Sequence, residues 1–420
     1  MNQTIKTRIE QIGRGEVPEG YKKVKTGVIP EKWSFEKLGK YLVQYHEVTT
    51  QNNQYPVLTS SRRGIFLQSE YYNSEVASDD NTGYNIVPRG YFTYRHMSDD
   101  EIFHFNINTL VDNGIVSTLY PVFTTTDKIN DYFLQTILNE GRDFHRYAVL
   151  QKQGGSRTYM YFEKLKALSL PIPPLEEQER IAEILGTQDK LITLQEKKIV
   201  EIQEFKKICL RKMFPAKGEQ TPEWRFPEFT EPWEQCKLGA LGQVTMCRRI
   251  FKEQTTTKGD IPFYKIGTFG GTADAFISRA LFEEYKAKFP YPHNGAILIS
   301  ASGSIGRTVV YSGENEYFQD SNIVWLVHDE RITDSFLKHL YSVIHWAGIE
   351  GSTIKRLYND NILKTKIFLP PIAEQIKLSK FLDSIDNLIT LHQRKLEEMK
   401  KYKKALMQLL LTGIVRTVDL

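Results

Sequence analysis

The chain is 420 residues long, room for two or more domains with separate cores. Its 55 Lys and Arg against 51 Asp and Glu leave a net charge of +4, which permits nucleic-acid binding without demanding it, because a DNA footprint is a matter of local clustering. Three cysteines without a CxxC pair argue against a disulfide framework and a structural zinc site. The opening MNQTIKTRIEQIGRGE has no apolar signal core and no stretch approaches the ~18 apolar residues of a membrane span, so a cytoplasmic protein is expected.

After an N-terminal segment (1–25), the stretch 26–170 reads as a first globular domain. Aromatic and β-branched runs broken by Gly, Pro and Asn, such as YPVLTSS, GYFTYRHM and GIVSTLYPVF, predict strands. The pattern DKINDYFLQTILNEG predicts a helix. Basic and hydrogen-bonding residues gather in the loops: Ser60, Ser61, Arg62 and Arg63; Arg89; Tyr94, Arg95 and His96; and Lys152 to Tyr159, including Arg157. Small residues with backbone donors beside Arg and an aromatic suit phosphate contact and base-edge reading. Taken singly each cluster is a weak signal, since a loop Arg is more often a solvated charge.

A long helix is predicted over 171–214. Pro173-Pro174 suits a helix entry, and Glu176 and Glu177 follow where they oppose the helix dipole. Ile181, Leu185, Gln188, Ile192, Gln195, Ile199, Ile202, Lys206, Cys209 and Met213 recur at spacings of four and three, a heptad seam. A linker (215–229) leads to a second domain (230–367), whose strands read from IPFYKIGTF, GAILISASGSIGRTVVYSG and SNIVWLVHD and whose helix reads from ITDSFLKHLYSVIHWAG. Its candidate contacts are Lys265 and Thr268; Ser302, Ser304 and Arg307; and Lys355 with Arg356. A second long helix (368–413) carries Leu378, Leu382, Ile385, Ile389, His392, Leu396, Met399, Lys403, Leu406 and Leu410 on its seam, before a short tail (414–420). Lysine and arginine runs late in both helices are ordinarily solvated faces; phosphate contact is the alternative.

The two helices are copies. Pro173 to Lys207 lies over Pro370 to Lys404 without a gap, with Glu177-Gln178 over Glu374-Gln375 and Leu191-Ile192-Thr193-Leu194 over Leu388-Ile389-Thr390-Leu391. Upstream, Tyr161 falls on Tyr358 and Leu165 on Ile362, and PEKWSFEKLG resembles EPWEQCKLG. A period near 200 residues is far beyond the roughly 20–50 of a solenoid unit, so a whole module is duplicated. The expected fold is α+β: two domains with twisted, mostly antiparallel sheets, separated by two long antiparallel coiled-coil helices with pseudo-two-fold symmetry. Gln188, Gln195 and His392 interrupt the apolar seam and either fix its register or sit at its wet edge.

Catalytic signals are missing. No GxGxxG opens a helix after a strand, GSIGR at Gly303 lacks the Lys-Ser/Thr ending of a P-loop, and neither an Asn/Asp-Pro-Pro-aromatic motif nor a nuclease metal pattern occurs. No metal ligand set and no cofactor of this chain's own is expected.

The duplicated PPLEEQERIAEIL…DKLITLQEKK and PPIAEQIKLSKFL…DNLITLHQRK, with TGVIPEKWSFEKLG, FTEPWEQCKLGALG, GAILIS, GSIG and GSTIKRL, resemble the specificity subunits of bacterial type I restriction–modification systems. The resemblance covers nearly the whole chain. It implies two target recognition domains, each reading half of an interrupted double-stranded DNA sequence, and spacer helices that hold them apart and dock two modification subunits. Those subunits would carry S-adenosylmethionine and methylate adenine, and restriction subunits would add ATP- and Mg-dependent translocation and cleavage. A stand-alone DNA methyltransferase and a coiled-coil scaffold without DNA recognition are the alternatives. Base-reading residues do not transfer from the family, and the first domain's PRGYFTYRHM lacks the GSIG turn of the second.

Overall fold

A computed structural model of the protein describes residues 3–71, 80–152, 157–348 and 356–419. The chain divides into two compact units, Met1–Leu194 with Leu396–Leu420, and Gln195–Lys395. The sequence separates the helices from the domains, but in the fold each long helix is shared. The first (Leu175–Met213) and the second (Ile372–Leu411) each contribute one half to either unit. Among the described residues no helix is long and apolar enough to cross a membrane.

In unit 1, strands Leu42–Tyr45, Val122–Thr125, Phe92–Thr93 and Asn106–Ile107 lie side by side in that order, all antiparallel. Phe92 pairs with Phe123 in the ladder, and their stacked rings, 4.8 Å apart, lie in the main apolar core with Phe105 and Phe133. Unit 2 repeats the order with Gly242–Thr245, Ile323–His328, Ile297–Ser300 and Thr308–Val310, again antiparallel. A ribbon closes each unit at the foot of its long helix: Ser34–Lys37 with Ser169–Ile172, and Glu234–Lys237 with Lys366–Leu369. In unit 2, Ile261–Tyr264 pairs antiparallel with Ala275–Ile277 and parallel with Tyr317–Phe318; in unit 1, Leu58–Ser61 pairs antiparallel with Gly64–Leu67 and Val57 bridges in parallel to Ile115 of strand Asn113–Val116. The predicted helix of the second domain stops early, at Leu340, and SVIHWAG forms turns instead.

The repeated Pro-Pro-x-x-Glu-Gln is a joint. In unit 1, Glu177 accepts hydrogen bonds from Trp33 Nε1 at 2.9 Å and from Arg416 Nε and Nη2 at 2.6 and 2.8 Å. In unit 2, Glu374 accepts from Trp233 Nε1 at 3.2 Å and from Arg225 at 2.7 and 2.8 Å. Both glutamates stay in the first turn of their helices, where they oppose the dipole, and are also buried, a Trp donor and a two-pronged Arg satisfying both carboxylate oxygens. The neighbouring glutamines tie the long helix to the globular part. Gln178 Oε1 accepts from Asn130 N, and Gln375 Oε1 accepts from Thr333 N. Asn130 and Thr333 are the N-caps of helices Asp131–Glu140 and Asp334–Leu340.

Within each unit the two long helices run antiparallel. In unit 1, Lys403 bonds Asp189 while Arg416 bonds Glu177. In unit 2, Lys206 bonds Asp386 at 2.5 Å while Gln195 donates to His392 O at 2.8 Å. The ion pairs are repeat counterparts (Asp189 with Asp386, Lys206 with Lys403). Gln195 and His392, themselves counterparts, meet each other, with Gln195 Nε2 also 2.8 Å from His392 Nδ1. Self-meeting counterparts are what an antiparallel pair of equal helices produces. A buried, satisfied amide at this position opposes a slip of register. Of the seam residues, Leu185, Ile199, Ile202, Leu382 and Ile385 are buried, and Ile192, Ile389, Leu396 and Met399 are half-buried.

Candidate nucleic-acid interface

The two loop systems occupy corresponding places. In unit 2 the loop leaving strand Ile297–Ser300 is built on small residues: Gly303 and Gly306 take φ of +66° and +77°, and Ser300 Oγ accepts from Arg307 N at 3.0 Å. Ala301 O accepts from Leu357 N at 2.8 Å, which ties this loop to the segment before helix Asn359–Lys364. In unit 1, His96 O accepts from Met160 N at 2.7 Å, just before helix Phe162–Ala167. Met160 and Leu357 are counterparts at the 197-residue offset. YRHM therefore stands where SASGSIGR stands, without the glycine turn.

In unit 1 the structure brings together three basic residues that the sequence scatters. Arg62 forms a two-pronged pair with Asp100 at 2.8 and 2.5 Å, Arg157 bonds Asp99 at 2.9 Å, and Lys152 bonds Glu101 at 2.5 Å. An acidic triplet, Asp99-Asp100-Glu101, thus collects cations from three loops. The Arg62 guanidinium, with help from Ser98, holds the Asp100 carboxyl well below the usual range. Arg63 lies over the Tyr71 ring at 4.7 Å. Arg95 is exposed with no ion-pair partner among the described residues. His96 stacks on Tyr161 with centroids 5.1 Å apart, and Tyr161 stacks on Tyr159 at 5.7 Å, an exposed three-ring ladder.

Two other candidates, Tyr94 and Ser60, are buried, and two, Ser61 and Arg89, bond within their own loops. Tyr94 is 0 % exposed and its hydroxyl donates to Met160 O, so it is a core residue and cannot face DNA. Ser60 is buried, donating to Thr93 O and accepting from Asn106, because its strand turns that side chain inward. Ser61, half-buried, closes a turn on Gly64 O. Arg89 is engaged by Asp112, Thr109 O and Leu110 O and fastens a loop of its own.

In unit 2, Arg307 is exposed with its guanidinium over Phe269 at 5.4 Å, and Ser304 is exposed beside it. Ser302 Oγ donates to Asn322 Oδ1 at 2.8 Å. Thr268 is occupied within its own turn with Lys265, whose ammonium pairs with Asp274 at 2.8 Å. Arg356 donates to Ser321 O at 3.1 Å and lies over Tyr358 at 5.8 Å; these residues, with Met246 and Asn361, line a shallow hollow of about 600 Å³. Lys355 lies outside the described residues, as do Ser352 and Thr353. Sequence reasoning missed Tyr161 and Tyr358. Both are exposed, both precede the short helix, and each packs on a neighbour able to carry positive charge. Their alignment at one offset was the available signal.

His339, Asp383 and Asp386 bring ligand atoms within 4.8 Å of one another. The Lys338 ammonium bridges Asp383 and Asp386 at 2.7 and 3.1 Å and Lys206 reaches Asp386, so lysines already supply the balancing charge. Burial lowers the His339 pKa. Cys209, Cys236 and Cys247 are free.

Two units with one sheet order, one joint and one loop system define a protein of duplicated sheet-and-helix recognition modules. The model of the type I restriction modification DNA specificity domain matches residues 23–204 and again 230–401, and the chain belongs to that family of specificity subunits. It is 44 % identical over 236 residues to a Haemophilus influenzae protein assigned as a type I restriction enzyme specificity subunit, over 56 % of this chain and 60 % of that one. The chain thus spans less than two thirds of that relative. A Methanocaldococcus jannaschii protein of the same assignment is 26 % identical over 425 residues, 95 % of this chain and 97 % of its own. In fold the chain is similar to one from a structure on complex assembly and conformational transition of the type I R-M system. The TM-score is 0.59 at 15 % identity, over 92 % of this chain and 99 % of that one.

Proposed function

We propose that each unit reads one part of an interrupted DNA target, and that the chain directs methylation by two modification subunits docked on its helices without catalysing it. The observation that carries this reading is the pair of loop systems, which offer Arg, an exposed Tyr and backbone donors at corresponding places on two otherwise divergent domains. Such groups both anchor phosphates and read base edges. Arg62, held by Asp100 through both Nη groups, keeps its Nε edge for a base or a phosphate. S-adenosylmethionine belongs to the modification subunits, and ATP and Mg to restriction subunits where these join. The test is methyl transfer. The purified chain alone should transfer nothing to DNA, and site-specific adenine methylation should appear on adding the modification subunit. Transfer by the chain alone at a comparable rate would overturn the reading in favour of a stand-alone methyltransferase.

Docking is supported by a second apolar stripe. Leu194 and Leu391, counterparts on the two helices, are 61 % and 64 % exposed, and Leu191, Leu388, Phe205 and Tyr402 are exposed with them. Solvent-facing leucines repeated on both copies suit two identical partner subunits. The double variant Leu194→Glu, Leu391→Glu should fold with an unchanged melting curve yet lose modification-subunit binding by size-exclusion chromatography. Retained binding would move the docking surface elsewhere.

The loop residues should divide into two kinds. Substituting a phosphate-facing cation, Arg157→Ala or Arg356→Ala, lowers affinity for all sequences alike and flattens the salt dependence. Arg62→Ala, Arg95→Ala or Arg307→Ala costs about 1–3 kcal/mol at one base pair and relaxes the methylated sequence there. Unchanged binding and specificity in all five would place the interface on other loops.

A further inference from the structure

Unit 2 holds a groove of about 1040 Å³ at the foot of the first long helix. Leu210, Phe214, Leu340, Val343 and Phe368 give it an apolar floor, and Trp233 lies at its inner wall. Five cations, Lys207, Arg211, Lys217, Lys364 and Lys366, are among its lining residues and no carboxylate is; Lys207 pairs with Glu204 and Lys364 with Asp360 outside the groove, so its positive charge comes chiefly from Arg211, Lys217 and Lys366.

Unit 1 shows what such a place accepts. On the repeat offsets, 197 for the helix and its exit and 203 for the capped short helix, Leu210, Phe214 and Leu340 correspond to Met407, Leu411 and Ile137. Ile367, also in the groove lining, corresponds to Leu170. All four counterparts belong to one apolar cluster with Ile5, against which Ile9 also packs. Ile5 and Ile9 lie on the N-terminal helix Gln3–Gly13. Arg8 of that helix donates to Ile414 O at 2.7 Å, and Ile414 is the counterpart of Lys217. In unit 1 the seat is filled by a short amphipathic helix of this chain. Among the described residues, unit 2 has no second copy of that helix.

We infer that the groove of unit 2 is the seat of a short amphipathic helix with an acidic flank, contributed by a partner protein. The floor asks for two or three aliphatic side chains at spacings of four and three, as Ile5, Ile9 and Ile12 provide in unit 1. The cationic lining chooses the flank. The chain's own N-terminal helix carries Lys6 and Arg8 against Glu10, so the same helix from a second copy would bring like charge to the groove. A nucleic-acid backbone would satisfy the cations but leave the apolar floor uncovered.

The probe is a fluorescein-labelled peptide of the 11-residue N-terminal helix carrying Lys6→Glu and Arg8→Glu, titrated against the full chain by fluorescence anisotropy, beside the unsubstituted peptide. The acidic peptide should bind saturably and about ten-fold or more tighter than the unsubstituted one. Lys217→Glu, at an exposed position outside the core, and Leu210→Glu should each weaken it about ten-fold or more, while Lys40→Glu in unit 1 leaves it unchanged. Lys217→Glu keeps the test decisive should Leu210→Glu misfold. Equal or tighter binding of the unsubstituted peptide would overturn the inference in favour of a second copy of this chain. A loss of duplex-DNA affinity in Lys217→Glu with peptide binding intact would make the groove a nucleic-acid contact. No saturable binding of either peptide would remove the helix seat altogether.

Discussion

Glu374→Ala should destabilise unit 2 by about 3–5 kcal/mol, the cost of stranding a buried charge by deleting its partner. Glu374 is 2 % exposed and Arg225 is 10 % exposed at the side chain, so water cannot replace the carboxylate once it is removed. Trp233 Nε1 loses its acceptor in the same step. Glu374→Gln should cost less, because the amide oxygen still accepts from Trp233 or Arg225. Pairing Glu374→Leu with Arg225→Met should recover much of the loss, since two apolar groups of similar volume leave no charge behind. The two units have separate cores, so the expected denaturation curve of Glu374→Ala has two steps, unit 2 melting first. Glu177→Ala should do the same to unit 1 through Arg416 and Trp33. A single wild-type-like transition in Glu374→Ala would show that the joint carries little of the stability.

Much of this architecture is legible in the chain. The 197-residue offset gives two modules, the four-and-three spacing gives two long helices, and aromatic and β-branched runs such as SNIVWLVHD give strands, because each is a pattern local to the sequence. The joint is less visible. Nothing local distinguishes Glu374, buried against an Arg 149 residues away, from Glu176, which stays at the surface with Arg180. The same limit explains the loop residues. Tyr94 and His96 are two positions apart in one short run, yet one is sealed in the core and the other stacks on Tyr161. Two positions apart they would share one face of a regular strand, but 94–96 lie between strands Phe92–Thr93 and Met97–Ser98, where that period does not hold. Arg62, Arg157 and Lys152 come together through acids at 99 to 101, a long-range pairing that composition alone does not announce.

Independent reading by the two units is the centre of this account, and exchanging one of them tests it most directly. The exchange should run from Tyr41 to Tyr161, taking in the sheet and the loop system of unit 1. It leaves Trp33 on Glu177 and the Ser34–Lys37 ribbon against Ser169–Ile172 in place. The Trp33–Glu177–Arg416 part of the joint, the long helices and all of unit 2 then remain native, so the surfaces proposed to dock partners are kept. Its complex with the modification subunit should be mapped for methylated adenine across a genome at single-base resolution. The account predicts a new sequence in one half of the target and the original sequence in the other, each contributing specificity of the size that a set of base contacts at ~1–3 kcal/mol apiece provides. An active chimera in which both halves change together, or in which neither changes, would contradict it.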